Sequence, residues 1–301
     1  MAVVIAGGTG FLGRPLATAL GADPVILTRQ PGRPPSTPRT RVLQWTPDGT
    51  AGPWASVIDG ADAVVNLAGE SIAGARWTDA QKRRILDSRV LATRSLVAAI
   101  ANAAAPPPVF VSGSAVGYYG PLGDEIVTEE RAAGADFLAG VCVRWEAEAM
   151  RAASPRTRVV CIRTGLVLER DGGALSKMLP PFWFGAGGRV GSGRQYWPWI
   201  HRQDWIDLVR FAIRTAELVG PLNATAPNPA TNADFAHALG RSIGRPSLMP
   251  PPGFALKLLL GEMAEALLLS GQRAVPAMAT HMGYEFAFTD LAAAFRAIFT
   301  R

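Results

Sequence analysis

A run near the start of the chain, Gly7-Gly8-Thr9-Gly10-Phe11-Leu12-Gly13, is spaced for one kind of chemistry, the holding of a phosphate group by backbone. A diphosphate is stabilised by the unpaired N–H groups and positive dipole end at a helix start. Backbone can approach it only where side chains are missing, and the tight turn needs φ values that glycine tolerates. The spacing is GxxGxxG rather than the GxGxxG of the dehydrogenase fingerprint. Its context gives it weight, because Ala2-Val3-Val4-Ile5 before it reads as a strand and the residues after it as a helix. Gly7, Thr9, Gly10, Phe11, Leu12 and Gly13 are therefore the expected diphosphate contacts.

An acidic residue at the end of the second strand would accept hydrogen bonds from the ribose hydroxyls of NAD. Here that strand ends Leu27-Thr28-Arg29-Gln30, with no acid beside it. Arg29 suits bidentate pairing with a 2′-phosphate, and Thr28 can donate to it. Arg14 and Arg33 could assist. These residues point to NADP(H) as the cofactor.

The elements that must position this turn follow an alternation of short β-branched runs and longer helical patterns. Strands are expected near Val3–Ala6, Val25–Thr28, Arg41–Trp45, Ala63–Asn66, Val109–Ser112 and Arg158–Arg163. Helices are expected near Phe11–Leu20, Asp79–Ala103 and Asp136–Ala152. The fold class is α/β, a Rossmann-type doubly wound parallel sheet with ligands at the carboxyl ends of its strands. The first domain spans 1–165, and a smaller substrate-side lobe follows over 166–301. Pro31 to Pro38 reads as a surface loop, and Gln203–Thr215 and Phe254–Leu269 as helices of the second lobe. The last is apolar almost all round, so it either packs against that lobe or forms the face of a homodimer.

Composition excludes several classes. The 301 residues are 49% apolar, enough for a large core. The formal charge of +6 comes from scattered arginines with three lysines, Lys82, Lys177 and Lys257, and no basic run, so nucleic acid is not the expected partner. Phe254–Leu269 carries Lys257, Glu262 and Glu265 and is a poor membrane span. Cys142 and Cys161 lack metal-site spacing and fit a reducing cytoplasm. No metal is expected.

Further motifs stand in order along the chain: Asn66-Leu67-Ala68-Gly69, Ser112-Gly113-Ser114-Ala115-Val116-Gly117-Tyr118-Tyr119-Gly120, Ile162-Arg163-Thr164-Gly165, Ile200-His201-Arg202-Gln203-Asp204-Trp205 and Leu222-Asn223-Ala224-Thr225. With the glycine turn they resemble the extended short-chain dehydrogenase/reductases. Gly69-Glu70-Ser71-Ile72, Arg76-Trp77, Val141 to Glu146 and a C-terminal block narrow this. That block holds Gly271-Gln272-Arg273 and Gly283-Tyr284-Glu285-Phe286 within a family-specific segment, 246–292. The chain resembles the atypical "epimerase family" proteins, often labelled nucleoside-diphosphate-sugar epimerases. The resemblance implies that Asn66, Leu67, Ala68 and Gly69 line the cofactor path, that Ser112 faces the nicotinamide side, and that Ser114 is the catalytic serine. Arg163 is a candidate anion contact or a structural ion-pair partner. His201 and Asp204 are expected to fix a loop or cap a helix.

The chain departs from the pattern where the proton is handled. Hydride transfer at a hydroxyl-bearing carbon needs a group that exchanges the hydroxyl proton. Relatives use Tyr with Lys four residues later, whereas the four tyrosines here are followed at that distance by Leu122, Gly123, Ile200 and Phe288. The helix that should carry the pair offers Gly140 and Arg144, or in another alignment Cys142 and Glu146. In the first, Arg144 would hold the ribose. Tyr118 or Tyr119 is then the expected proton donor to a group polarised by Ser114. Trp77 is the expected pocket wall and Glu70 a substrate neighbour; Arg76, Arg84 and Arg273 could meet an anionic substrate. Two functions fit these residues: an NADP(H)-dependent oxidoreductase or epimerase on a small polar metabolite or nucleotide sugar, or an NADP(H)-binding regulatory protein without turnover, linked through the family to cell or plastid division.

Overall fold

Buried runs of β-branched residues build the centre of the molecule. In the computed structural model, which describes residues 2–21, 24–31, 40–249 and 253–300, β1 (Val3–Ala6) and β4 (Ala63–Asn66) are buried along their whole length. Such continuous burial belongs to parallel strands covered on both faces. With β2 (Val25–Thr28), β3 (Arg41–Gln44), β5 (Val109–Ala115), β7 (Arg158–Thr164) and β11 (Gly220–Ala224) they form one seven-stranded sheet in the order β11-β7-β5-β4-β1-β2-β3. Every pairing in it is parallel. This is the expected doubly wound fold. Arg33 and all but the first residue of the Pro31–Pro38 loop lie outside the described residues.

Alternation along each strand sorts side chains into two layers. Val3, Ile5, Val65, Val111 and Ile162 meet α1 (Gly13–Ala19) and α5 (Arg202–Arg214). Val4, Ala6, Val64, Phe110 and Cys161 pack with Ala92, Leu96 and Ala149 of α2 (Asp79–Asn102) and α3 (Phe137–Met150). Thr78 Oγ1 accepts from Gln81 N to open α2, and Asp136 accepts from Ala139 N to open α3.

The sheet is not confined to the first 165 residues, because β11 returns from the second lobe to pair with β7. That lobe has a separate core around Trp199, Phe235 and Phe295. It contains α4 (Gly173–Trp183), α6 (Asn232–Ser242) and a final helix Leu291–Phe299, none of which the residue pattern predicts. Three short ladders bind the parts together: β8 (Leu166–Leu168) with β10 (Trp199–His201), β9 (Tyr196–Trp197) with β12 (Ala230–Thr231), and β6 (Ile126–Val127) with β13 (Arg273–Ala274). The apolar stretch expected as one helix is broken. α7 (Gly253–Leu260) ends at Gly261, whose φ of 63° continues no right-handed helix. Among the described residues no helix is long and apolar enough to cross a membrane, and no cluster could hold a metal ion.

Candidate cofactor and active site

Register aligns the carboxyl ends of the strands into one rim. Leu27, Ala6, Asn66, Ser112 and Cys161 are successive partners across β2, β1, β4, β5 and β7. From β1 the chain enters the glycine turn. Gly7 has φ 77°, and a Cβ there would stand 2.7 Å from the Leu67 carbonyl oxygen. A Cβ on Gly13 would stand 2.5 Å from the Gly7 oxygen, so the absent side chain lets α1 close onto the turn. Asn66, fully buried, donates from Nδ2 to Thr93 Oγ1 at 2.9 Å and accepts from Ala68 N at 3.2 Å. Glu70 N donates to Ser88 Oγ at 2.9 Å, which fixes the far end of the Leu67–Glu70 loop.

Between turn and loop opens a cavity of about 860 Å³. Gly7, Thr9, Gly10, Thr28, Arg29, Leu67, Ala68, Gly69 and Glu70, all singled out from the sequence, line it. Arg29 is exposed at its edge and forms no ion pair among the described residues. Thr28 Oγ1 accepts from Gln30 N at 3.3 Å, fixing the turn that presents Arg29. Other parts of the wall come from Trp45 and Pro47 after β3 and from Arg84, Asp87, Ser88 and Leu91 of α2.

Other expected contacts serve the frame instead. Phe11 packs its ring on Gly172 and Gly173, where a Cβ would come within 2.5 and 2.9 Å, and lies under Arg202. Leu12 precedes α1 and packs into the core. Ser112 is buried within β5.

At the end of β5, Ser114 donates from Oγ to Glu146 Oε1 at 2.6 Å. Glu146 also accepts Arg163 Nε at 2.9 Å and Nη2 at 2.8 Å. Arg163 Nη1 donates to the Tyr119 hydroxyl at 3.1 Å and to the Glu129 carbonyl at 3.2 Å, and the guanidinium lies 3.5 Å from the centre of the Tyr118 ring. Tyr119 donates in turn to Asn223 Oδ1 at 2.7 Å.

This network corrects several expectations. Arg163 is 3% exposed and its donors are taken by protein groups, so it is an ion-pair partner and does not line the cofactor cavity. Tyr119 is buried with its hydroxyl engaged by Asn223 and Arg163, and burial pushes its pKa up to about 12. Arg144 stands on the exposed stripe of α3. The helix instead turns Cys142 and Glu146 towards Ser114, the second of the two alignments, because Trp145 packs over Gly113, where a Cβ would lie 2.9 Å from the indole. Burial pushes the Cys142 thiol up to about 11. Trp77 does not line the cofactor cavity. It donates from Nε1 to Ile72 O at 2.8 Å and stacks edge-on against Phe137, in a cluster with Met263 that seats the C-terminal block. Tyr118 keeps a part-buried ring and a hydroxyl without a protein partner among the described residues.

The second lobe is latched by residues expected to be structural. His201 Nδ1 accepts from Gln203 N, and the Asp204 carboxylate accepts from Ala287 N and Phe288 N. Two members of the site were missed by sequence reasoning. Buried Glu129 accepts from Asn223 N at 2.9 Å and Met278 N at 3.2 Å, and burial raises its pKa. Arg89 of α2 lies against Gly69 and the Trp145 ring. No local motif marks either residue.

Comparison with known proteins agrees with this architecture. The model of the NAD dependent epimerase/dehydratase family matches residues 3–223, and that of a domain of unknown function, DUF1731, matches 251–298. An epimerase family protein of Mycobacterium leprae is 42% identical over 94% of this chain and 91% of its own. A chloroplastic epimerase family protein of Arabidopsis thaliana is 40% identical over 99% of this chain and 86% of its own. The crystal structure of human epimerase family protein SDR39U1 with NADPH superposes with a TM-score of 0.91, at 35% identity and with 100% of both chains covered. By its glycine turn, its sheet and these likenesses, the chain belongs to the NAD dependent epimerase/dehydratase family, among its atypical extended short-chain dehydrogenase/reductase members.

Proposed function

We propose that this chain binds NADP(H) in the cavity between Gly7 and Glu70 and uses it as an oxidoreductase or epimerase on a small polar metabolite. The observation that carries the reading is the joining of the glycine turn to Thr28 and Arg29 in one space. Exposed guanidinium sits where an acid would select NAD, and no ion pair with the described residues occupies it. The human relative that shares the fold was solved with NADPH. When bound, the cofactor supplies or takes a hydride at its nicotinamide ring. The chain's residues hold the diphosphate on backbone amides and the 2′-phosphate on Arg29.

The proton side is built differently from a Tyr–Lys pair. With its own proton given to Glu146, Ser114 presents lone pairs outward and accepts from a substrate hydroxyl, making Ser114–Glu146 a short relay. Tyr118 is the tyrosine still able to donate. Optical monitoring of NADPH oxidation across aldehydes, quinones and oxidised nucleotide sugars tests this. Turnover on one class, lost in Ser114→Ala, is expected.

A second reading is favoured by one feature. Both Glu146 carboxylate oxygens are already committed to Arg163, which leaves the relay tied into a structural ion pair. Tight NADPH binding with silence across the whole panel would shift the assignment to a cofactor-binding regulatory protein.

A further inference from the structure

Helix α2 places a cation, Arg89, against the Trp145 face of α3, whose own Arg144 is exposed. Arg89 donates from Nη1 to Ile85 O at 2.9 Å, and no carboxylate of the described residues lies within ion-pair distance of it. The contrast with Arg158 is direct, since that half-buried arginine spends its donors on the carbonyls of Leu218, Ala212 and Ile213. Arg89 is part-buried, and beyond its one bond to Ile85 O its donors have no partner among the described residues, which leaves them open to a ligand within reach.

Its position says which ligand. A Cβ on Gly69, a residue of the cavity wall, would come 3.2 Å from Arg89 Cζ, so the guanidinium lies directly behind that glycine. On the other side Cζ lies 5.2 Å from the Trp145 ring, which covers Gly113 next to Ser114. Arg89 thus lies between Gly69 of the cavity wall and the indole beside the strand end that carries the serine. Burial lowers its pKa, opposed by Cys142 and Glu70, yet an arginine stays cationic at neutral pH. A planar fork carries several N–H donors and can bond two neighbouring oxygens at once, and the oxygens of vicinal hydroxyls form such an accepting pair.

Building on the NADP(H) reading, we propose that Arg89 binds the ribose hydroxyls of the nicotinamide half of the cofactor. It supplies from α2 the ribose contact and positive charge that a lysine on α3 would otherwise provide. The test titrates the full chain and its Arg89→Met and Arg89→Lys variants with NADPH and with 2′,5′-ADP, which has the adenosine half and the 2′-phosphate but no second ribose. Arg89→Met should weaken NADPH about tenfold or more while moving 2′,5′-ADP less than about twofold, and Arg89→Lys should recover most of the loss. Equal weakening of both ligands, or unchanged NADPH affinity, overturns the assignment. Should Arg89→Met not fold, Arg89→Gln replaces it, with the same two outcomes expected and the same two overturning the assignment. A wild-type chain that takes up neither ligand overturns the NADP(H) reading itself, a result separate from any effect of the variants.

Discussion

The Glu146 carboxylate holds the Arg163 guanidinium with both oxygens, at 2.9 and 2.8 Å, with side chains 12% and 4% exposed. Removing one partner of such a pair leaves a buried charge uncompensated, which costs about 3–5 kcal/mol. Glu146→Ala and Arg163→Ala should each lower unfolding stability by that order in urea. The double variant should lose clearly less than the sum, because the two residues share one interaction. A loss below about 1 kcal/mol in Glu146→Ala would contradict the pairing.

Cofactor choice rests on Arg29. Arg29→Ala should weaken NADPH by about ten- to a hundredfold, the worth of a charge-assisted hydrogen-bond pair. NADH affinity should stay nearly constant. Parallel fluorescence titrations check this, and a variant that loses both dinucleotides alike would move Arg29 from selection to general structure.

The glycine turn makes a steric prediction. Gly7→Ala must place an L residue at φ 77° with its Cβ 2.7 Å from a backbone oxygen, and Gly13→Ala a Cβ 2.5 Å from another. Each should cost about 1–3 kcal/mol or more, since backbone is the obstacle and cannot rotate away. Gly60, with φ 74° and open space around it, is the control, where Gly60→Asn should be mild by comparison. Thermal unfolding of the three variants ranks them.

Alkali should destabilise the chain. Burial raises Cys142 from 9.0 to about 11, Cys161 from 9.0 to about 12 and Tyr119 from 10.0 to about 12. The native state therefore holds protons that the unfolded chain releases, so this stability is complete below about pH 9 and falls as pH rises towards 12. Urea midpoints measured from pH 8 to 11 should decline throughout the upper part of the range. At pH 8 a thiol reagent should label neither cysteine before unfolding.

The two neighbouring tyrosines should separate. Tyr119→Phe removes a buried hydroxyl shared by Asn223 and Arg163, so it should cost about 1–3 kcal/mol of stability. Tyr118→Phe should leave stability nearly unchanged and slow whatever turnover the substrate panel finds. Full turnover in Tyr118→Phe would remove it as proton donor.

Local pattern carried much of the fold. β1, β2 and β4 appear with their expected limits because a strand buried on both faces must be apolar throughout, which leaves a run legible without any partner. The glycine turn was legible for a similar reason, as no other residue fits its φ and contacts. β11 was not, since Gly-Pro-Leu-Asn-Ala has no strand-like pattern and is held by pairing with β7 and by the bonds of Asn223 to Glu129 and Tyr119. α4 was hidden by Pro180 and Pro181, tolerated inside a helix that the second core buries through Leu175, Leu179 and Phe182.

By itself, then, the order of residues determined the sheet apart from its last strand β11, the phosphate-holding turn and the basic residue that follows β2, because each depends on neighbours within a few positions. Tertiary structure decided which face of α3 looks at Ser114, since that phase is set by an indole seated on Gly113. It decided that Trp77 closes a seam with the C-terminal block, and that Arg163 belongs to Glu146 while Arg89 pairs with no carboxylate among the described residues. Contacts between residues far apart in the chain leave no local trace, and only the packed molecule brings them within reach.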